Sequence, residues 1–463
     1  MTPDLQKIQN FYFLGIGGIG MSALARYFRY QGKNVAGYDL TQTRLTERLV
    51  SEGISVSYID DESAIPSTFD RKDTLVVYTP AIPPGHFGFN RLKNDGYTIY
   101  KRAQVLGMLC NPRKCIAVAG THGKTTVSAM ASVILKESAL GCGAFLGGIL
   151  KNYDSNLILP GSGEEWIVTE ADEYDRSFLN LLPDIILITA IDPDHLDVYG
   201  NLEELQNAFA QFAGRIKEGG KVVLKKGIGL SKPGSGKTEM FSYSLQEKAD
   251  YSAENIRQEN EAYIFNLVSP KEVIRDIVLN YPGLVNVENA VGAAAVTLEA
   301  GASPQDVRRG LSIYQGIRRR FDIRFRNNQV IFIDDYAHHP NELKAVINSV
   351  KILYPGKRIT GIFQPHLFSR TKDFADDFAK SLDLLDTAVI LPIYPAREKP
   401  LKGVSSEIII QKMKNPDAVL LEKDTVPDWV MNHHTDILMT LGAGDIDKVA
   451  DDLAELLKRR YHV

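Results

Sequence analysis

Twice in this chain an apolar strand runs through a glycine turn directly into a helix, and no other feature constrains the fold as much. The first instance is "NFYFLGIGGIGMSALARYFRY", residues 10–30; the second is "CIAVAGTHGKTTVSAM", residues 115–130. Such a turn forms at the carboxyl end of a parallel strand, where glycine lets the backbone reverse tightly enough for the helix to pack back on the sheet. Elsewhere short apolar strands such as "TLVVYT", "DIILITAI" and "DILMTLG" alternate with helical stretches such as "LEELQNAFAQFAGRI" and "GDIDKVADDLAELLKRR". That alternation is the pattern of an α/β protein. At 463 residues the chain exceeds one ordinary core. We read three α/β domains in series, 1–107, 108–322 and 323–463. Residues 250–280 alternate apolar and polar, which predicts a small antiparallel accessory sheet within the second.

Composition removes several classes of function. The 53 basic and 57 acidic side chains leave a net charge of −4, with no basic excess for a nucleic-acid partner. No run of about 18 apolar residues is present to span a membrane. The opening "MTPDLQKIQN" lacks the apolar core of a secretion signal. Cys110, Cys115 and Cys142 have no CxxC spacing and fit free thiols in a reducing compartment, not a disulfide framework or a zinc site.

The first turn, Gly15-Ile16-Gly17-Gly18-Ile19-Gly20, matches G-x-G-x-x-G, and Asp39 follows where an acid can hold a ribose. Alone it fits a nicotinamide enzyme or any other diphosphate. The second turn decides between them. Gly120, Thr121, Gly123, Lys124, Thr125 and Thr126 form a phosphate cradle: glycines admit backbone N–H groups to phosphate oxygens, and the helix N-terminus favours negative charge. Lys124 can neutralise β/γ-phosphate charge, and the Thr125 hydroxyl can join a magnesium shell. Val118 stands where the generic P-loop has its first glycine, so the loop is the shorter form. A chain with a phosphoryl-donor loop has no obvious need of a hydride carrier, so the first turn is read as the site of a second diphosphate, on the substrate.

Other candidates sit after strands, where α/β proteins build their sites. "VTEADEYDRSF" gathers Glu170, Asp172, Glu173 and Asp175, of which Glu170 is the choice for a divalent ion. "AIDPDHLDVYG" places His195 between Asp194 and Asp197 as a ligand or phosphate contact. In the third domain, "DDYAHHPNE" offers Asp335 and His338 to a nucleotide. "FQPHLFSRT" offers His366 and Arg370 to an anion, arginine being suited to a carboxylate. For each of these, a helix cap or a solvated surface group is the plain alternative.

In order and spacing, "GIGGIGMSALA", "AGTHGKTT", "EADEYDRSFL", "DPDHLDVYG", "NVENA", "RRRFD", "DDYAHHPNE", "FQPHLFSRT" and "LGAGDI" resemble the Mur ligases over essentially the whole chain, most closely the alanine-adding members. The resemblance implies a Rossmann-like UDP-binding domain, a P-loop ATPase-like central domain and a Rossmann-like C-terminal domain that closes the site. It implies ATP-dependent joining of L-alanine to UDP-N-acetylmuramate through an acyl phosphate, with Mg²⁺, in peptidoglycan precursor synthesis. A cytoplasmic enzyme follows, monomer or dimer, with no nucleic acid or membrane partner. By resemblance, Gly15, Gly17, Gly18, Gly20, Asp39 and His122 serve the UDP-substrate. Thr125, Glu170 and His195 serve the metal, and Lys124, Glu170 and His195 the catalysis. Asn289, Arg319, Asp335 and His338 join Gly120, Thr121, Gly123, Lys124, Thr125 and Thr126 on ATP, and Tyr336, His366 and Arg370 lie near the amino acid. Two departures stand out: Leu367 where some members have Arg, and Val285-Asn286 where members often have His-Asn. A peptide-adding ligase, a nicotinamide oxidoreductase built on "GIGGIG" and a nucleotide-binding regulator without turnover are the competing readings.

Overall fold

The computed structural model describes residues 3–461 except 62, 63, 164, 194, 195, 232–236, 246, 260, 261 and 397. The chain forms two compact units, Met1–Asn280 with Val287–Gln315, and Tyr281–Asn286 with Gly316–Val463. The first unit carries two sheets. The first sheet has five parallel strands in the order Ser55–Ser57, Asn34–Tyr38, Asn10–Leu14, Thr74–Tyr78, Thr98–Lys101. The order reverses at Asn10–Leu14, so the first glycine turn opens at the switch point. The helix behind it spans Ile19–Tyr30, two residues earlier than its apolar run begins at Met21.

The second sheet has ten strands and is mostly parallel, with Lys114–Ala119 near its centre between Ile185–Ile188 and Trp166–Glu170. The three strands Tyr251–Glu259, Ala262–Val268 and Val273–Leu279 pair antiparallel, as their alternation predicts. They do not stand apart as an accessory sheet. Tyr243↔Tyr251 and Ser244↔Ser252 pair in parallel and splice them onto strand Glu239–Ser244, so that neither this strand nor Tyr251–Glu259 is left as an edge. Helix Lys124–Lys136 is buried along most of its length. It meets helix Pro304–Ile313 where a Cβ on Gly310 would lie 2.6 Å from the Ile134 Cα, so glycine permits the approach.

The two sheets of the first unit share one apolar cluster, in which Phe11, Phe13, Leu24 and Phe28 join Phe145, Leu157 and Ile167. A polar link fixes their relative position. Asn156 is fully buried. Its amide donates to the Ile19 carbonyl (2.6 Å) and the Ser22 hydroxyl (3.0 Å), and its carbonyl accepts from Arg26 (3.1 Å). Arg26 also donates to Ser155 (2.8 Å) and Glu52 (2.6 Å). Strand Ser155–Ile158 of the second sheet therefore holds the first turn of the helix that follows the first glycine turn.

The second unit has six strands in the order Asp322–Arg326, Ile331–Asp335, Ile437–Leu441, Ile359–Phe363, Thr387–Ile390, Ala418–Leu420. Only the first pair is antiparallel. The unit takes in residues 316–321, ahead of the boundary expected at 322/323.

Asn156→Ala should strip partners from the Ile19 carbonyl and the Arg26 guanidinium in a buried setting. We expect a loss of about 2–3 kcal/mol in the unfolding free energy of the first unit, read by urea titration. A loss under about 0.5 kcal/mol would show that the link is dispensable.

Candidate active site

Lys114–Ala119 delivers its chain into the second glycine turn at the carboxyl edge of the sheet. Gly120 has φ +127 and Gly123 φ +83, both in the region that favours glycine. A Cβ on Gly120 would lie 2.1 Å from Thr189 Oγ1 and 2.8 Å from the Ala190 nitrogen, so the neighbouring strand end closes on the turn as well. The turn is stitched to that strand end. Thr121 N–H donates to the Ala190 carbonyl (3.1 Å), Asp192 N–H donates to Thr121 Oγ1 (3.2 Å), and the Thr189 hydroxyl donates to the His122 carbonyl. The Gly123 N-cap offers no side chain to the first N–H groups of helix Lys124–Lys136, which suits an anion there.

Lys124 Nζ donates to the Gly120 carbonyl (2.5 Å) and to Glu173 Oε1 (2.9 Å). Glu173 is fully buried. Burial disfavours the Lys124 charge, but Glu173, Asp172 and Glu170 outweigh it and its pKa rises. Glu170 ends strand Trp166–Glu170 and accepts from Thr125 Oγ1 (3.2 Å), Ser128 Oγ (3.4 Å) and the Gly147 N–H (2.7 Å). A side chain at Gly147 would collide with it, its Cβ lying 2.4 Å from Glu170 Oε2. Asn289 Oδ1 lies 3.0 Å from the Cβ position of Gly123, so Asn289 lines the same turn. His122 sits in the turn with Nε2 3.7 Å from Asp192 Oδ2. His195 lies outside the described residues.

Among the described residues no cluster of three or more His, Cys, Asp and Glu side chains is gathered to hold a metal unaided. The Thr125 hydroxyl and the Glu170 carboxylate are hard oxygen donors, which fit a magnesium ion carried mainly by phosphate and water.

In the first turn Gly15 has φ +85, and Gly15 N–H and Ile16 N–H donate to the Tyr38 carbonyl (2.8 and 3.0 Å). Asp39 Oδ2 accepts from Gly17 N–H (2.7 Å) and Oδ1 from Thr41 N–H (3.2 Å), so this acid braces the turn itself. The loop after Glu170 links the two turns. Asp172 pairs with Arg102 (3.7 Å) and Asp175 with Lys101 (2.8 Å), both at the end of the first sheet, while Glu173 holds Lys124. Asp175 and Arg176 are both left-handed, at φ 52 and 53, a strained arrangement that persists where surrounding contacts enforce it. Arg102, Glu173, Gly147 and Thr189 carry this geometry without being singled out by sequence. Only Glu173 had a signal, its place in the acid cluster.

In the second unit Asp335 ends strand Ile331–Asp335, Tyr336 and His338 follow it, His366 follows strand Ile359–Phe363, and Arg319 precedes the first strand. Asp335 is engaged on both oxygens by backbone, from Phe321 N–H (2.7 Å) and Ala337 N–H (2.8 Å). Arg319 and Arg320 lie over the Tyr336 ring at 5.1 and 5.2 Å. His338 Nδ1 lies 3.0 Å from the Tyr336 carbonyl and so carries the proton, which leaves Nε2 as an acceptor. Burial lowers the His338 pKa against the pull of Glu342, and Arg370 and Arg320 push the same way as burial. His366 stacks on Tyr394 and stands 6.1 Å from His338, ring to ring. Leu367, at the departure noted above, is left-handed (φ 72) and leads into helix Phe368–Asp373, which carries Arg370.

Asp334, missed by sequence, is fully buried. It accepts from Thr440 Oγ1 (2.8 Å), with Arg319 Nε at 3.5 Å and Arg324 Nη1 at 3.7 Å. Burial pushes its carboxyl up to about 6, against Arg319, Thr440 and Arg324, with Asp322 adding to the rise.

Three family models match in succession: "Mur ligase family, catalytic domain" over residues 10–114, "Mur ligase middle domain" over 118–297 and "Mur ligase, glutamate ligase domain" over 319–445. A UDP-N-acetylmuramate–L-alanine ligase of Christiangramia forsetii is 44% identical over 98% of this chain and 99% of its own. One of Parabacteroides distasonis is 46% identical, with 98% of each chain covered. The crystal structure of the UDP-N-acetylmuramate-alanine ligase from Thermotoga maritima superposes with a TM-score of 0.83 at 26% identity, covering 97% of this chain and 99% of that one.

Gly120→Ala should abolish nucleotide binding, because both the left-handed backbone and the space filled by Thr189 exclude a Cβ. Isothermal titration with ATP reads it, and binding within threefold of wild type would refute it. Asp334 gives a pH test. A carboxyl that holds its proton more tightly folded than unfolded contributes stability below its unfolded value of 3.8, and that stability is lost as pH rises through about 6. Asp334→Asn stays neutral throughout. Its stability relative to wild type should therefore climb between about pH 4 and pH 7, by on the order of 2–3 kcal/mol in urea titrations. A difference that does not change with pH would exclude a raised Asp334.

Proposed function

The chain belongs to the Mur ligase family, and we propose that it joins L-alanine to the lactyl carboxylate of UDP-N-acetylmuramate with cleavage of ATP to ADP and phosphate. It acts in peptidoglycan precursor synthesis, in the cytoplasm. The observation that carries this reading is full-length likeness to alanine-adding ligases in a chain whose second glycine turn puts Lys124, Thr125 and Glu170 together. Among the described residues no helix is long and apolar enough to cross a membrane.

The chemistry follows from a poor electrophile. A carboxylate cannot expel oxide, so its oxygen first attacks the γ-phosphorus and ADP leaves. The resulting acyl phosphate has phosphate as its leaving group. The amine of L-alanine attacks the carbonyl carbon, loses a proton, and the tetrahedral intermediate collapses to the amide as phosphate departs. Reaction between two anions asks mainly for charge neutralisation and alignment. Lys124 supplies the first at the β/γ-phosphates, exchanging its contact with Glu173 for phosphate oxygen. Thr125 and Glu170 would hold a magnesium ion, which would supply further neutralisation of the triphosphate charge. The turn N–H groups from Gly120 to Thr126 fix the phosphates, and Asn289 borders the same turn on the nucleotide side. Gly15, Gly17, Gly18 and Gly20 receive the UDP, with Asp39 setting the turn, and His122 faces the muramoyl part. In the second unit, Arg319, Asp335 and His338 serve the nucleotide, while Tyr336, His366 and Arg370 serve the amino acid.

Phosphate release from ATP should require both UDP-N-acetylmuramate and L-alanine, and Lys124→Ala should cut it by at least ~10³-fold. Release with neither substrate, or none under any combination alongside binding of NADH, would overturn the ligase reading.

A further inference from the structure

Arg102 opens helix Arg102–Cys110 directly beside the first glycine turn. A Cβ on Gly20 would stand 3.0 Å from Arg102 Nη1 and 3.2 Å from its Cδ, so the absent side chain of Gly20 is the space in which the arginine lies. The Arg102 side chain is only 22% exposed. Among the described residues it makes one ion pair, to Asp172 Oδ2 at 3.7 Å, and no hydrogen bond. A guanidinium carries five N–H donors in a rigid fork, and none of the Arg102 nitrogens is sealed from solvent, so the fork is open to an incoming anion. The fork matches phosphate oxygens two at a time. Asp172 is a loose partner by comparison: it is 43% exposed, and its other oxygen already accepts from Tyr174 N–H (3.1 Å). Lys101 is not in the same position, because Asp175 holds it at 2.8 Å.

We infer that Arg102 binds the diphosphate of the nucleotide-sugar substrate at the first glycine turn, exchanging Asp172 for phosphate oxygens. The inference rests on the reading of that turn as the UDP site. It adds a side-chain cation to a turn whose own residues, from Gly15 to Gly20, carry no charge. It also gives the exchange a second end. Asp172 is followed in the chain by Glu173, the partner of Lys124, so the substrate anion and the ATP anion each compete with a carboxylate of one short loop.

The test uses the full-length protein with UDP as the probe, measured by isothermal titration, beside KM for UDP-N-acetylmuramate and for ATP. Arg102→Met keeps the apolar stem and removes the donors; UDP affinity should fall and KM for the UDP-sugar rise by about 10–100-fold, with KM for ATP within about threefold. Arg102→Lys keeps the charge without the fork and should fall between Arg102→Met and wild type. Asp172→Asn removes the competing carboxylate and should leave UDP binding equal or tighter. Unchanged UDP affinity in Arg102→Met overturns the inference, as does an equal loss of UDP binding in Asp172→Asn, which would mark the pair as structural. If Arg102→Met fails to fold, Arg102→Lys decides: UDP affinity equal to wild type overturns the inference, and a several-fold loss with KM for ATP unchanged upholds it. Wild-type turnover in the same assay keeps the two readings separate. A wild-type protein that ligates while Arg102→Met still binds UDP normally defeats only the Arg102 role, whereas a wild type that neither binds UDP nor ligates defeats the UDP site itself.

Discussion

The buried pairing of Lys124 with Glu173 is the contact from which the rest of the first unit's active face is organised. An ammonium and a carboxylate taken out of water must match each other closely or destabilise the fold. Here the match is made at 2.9 Å, with the Gly120 carbonyl completing the ammonium's shell. Just past Glu173, the loop after Glu170 turns through two successive left-handed residues, Asp175 and Arg176. Nothing local favours that backbone. It is enforced from outside, by Lys101 on Asp175, by Arg176 over the Tyr199 ring and by the Tyr199 hydroxyl donating to the Glu173 carbonyl. The anchor Lys101 comes from the first sheet, so the geometry of the second turn depends on where the first sheet sits. Asn156 and Arg26 settle that position.

This dependence explains which parts of the molecule were legible in sequence. Both glycine turns were, because positive φ and the lack of room for a Cβ are requirements that only glycine meets, and the requirement is written at the residue itself. The parallel strands were legible as continuous apolar runs. Strand Gly143–Leu150, "GAFLGGIL", was not, since its three glycines break the apolar run; Gly147 is there to let its backbone N–H reach Glu170. Strand Glu239–Ser244 was hidden by its polar residues, being the splice between the parallel and antiparallel parts of the second sheet. The left-handed Asp175, Arg176, Arg319 and Leu367 have no sequence mark, since the strain at each is enforced by distant neighbours. Arg102 and Asp334 were invisible for the same reason. Their meaning lies in what stands opposite them, and spacing along the chain does not encode it.

Asp39 shows the converse limit. Its position after the second strand fits a ribose contact, and its carboxylate also accepts from the Gly17 and Thr41 N–H groups. Asp335 repeats the pattern in the second unit with Phe321 and Ala337. In both cases an acid at a strand end uses its charge to hold a neighbouring turn in shape. An acid placed this way orders the backbone around it, so its substitution would disturb the geometry of the turn whether or not it also removed a ligand contact.

The charges of the first unit's site are arranged as pairs that can exchange. Lys124 has Glu173, Arg102 has Asp172 and Lys101 has Asp175, three acids of one loop against three cations of two different segments. A phosphate arriving at such a cation competes with a carboxylate and does not meet an unmatched charge. Its affinity is then a difference between two charge-assisted interactions, smaller than either, which suits substrates that must leave as products. The cations are not equally committed. Lys124 is tied by a short contact and a carbonyl, Lys101 by a short contact, and Arg102 by one long pair. On the proposed roles, an incoming diphosphate would displace the Arg102 partner most easily, while the γ-phosphate would have to dislodge a buried carboxylate to reach Lys124. Loose pairing beside the first turn and tight pairing at the second would let the nucleotide-sugar settle readily and hold the phosphoryl donor to a stricter fit.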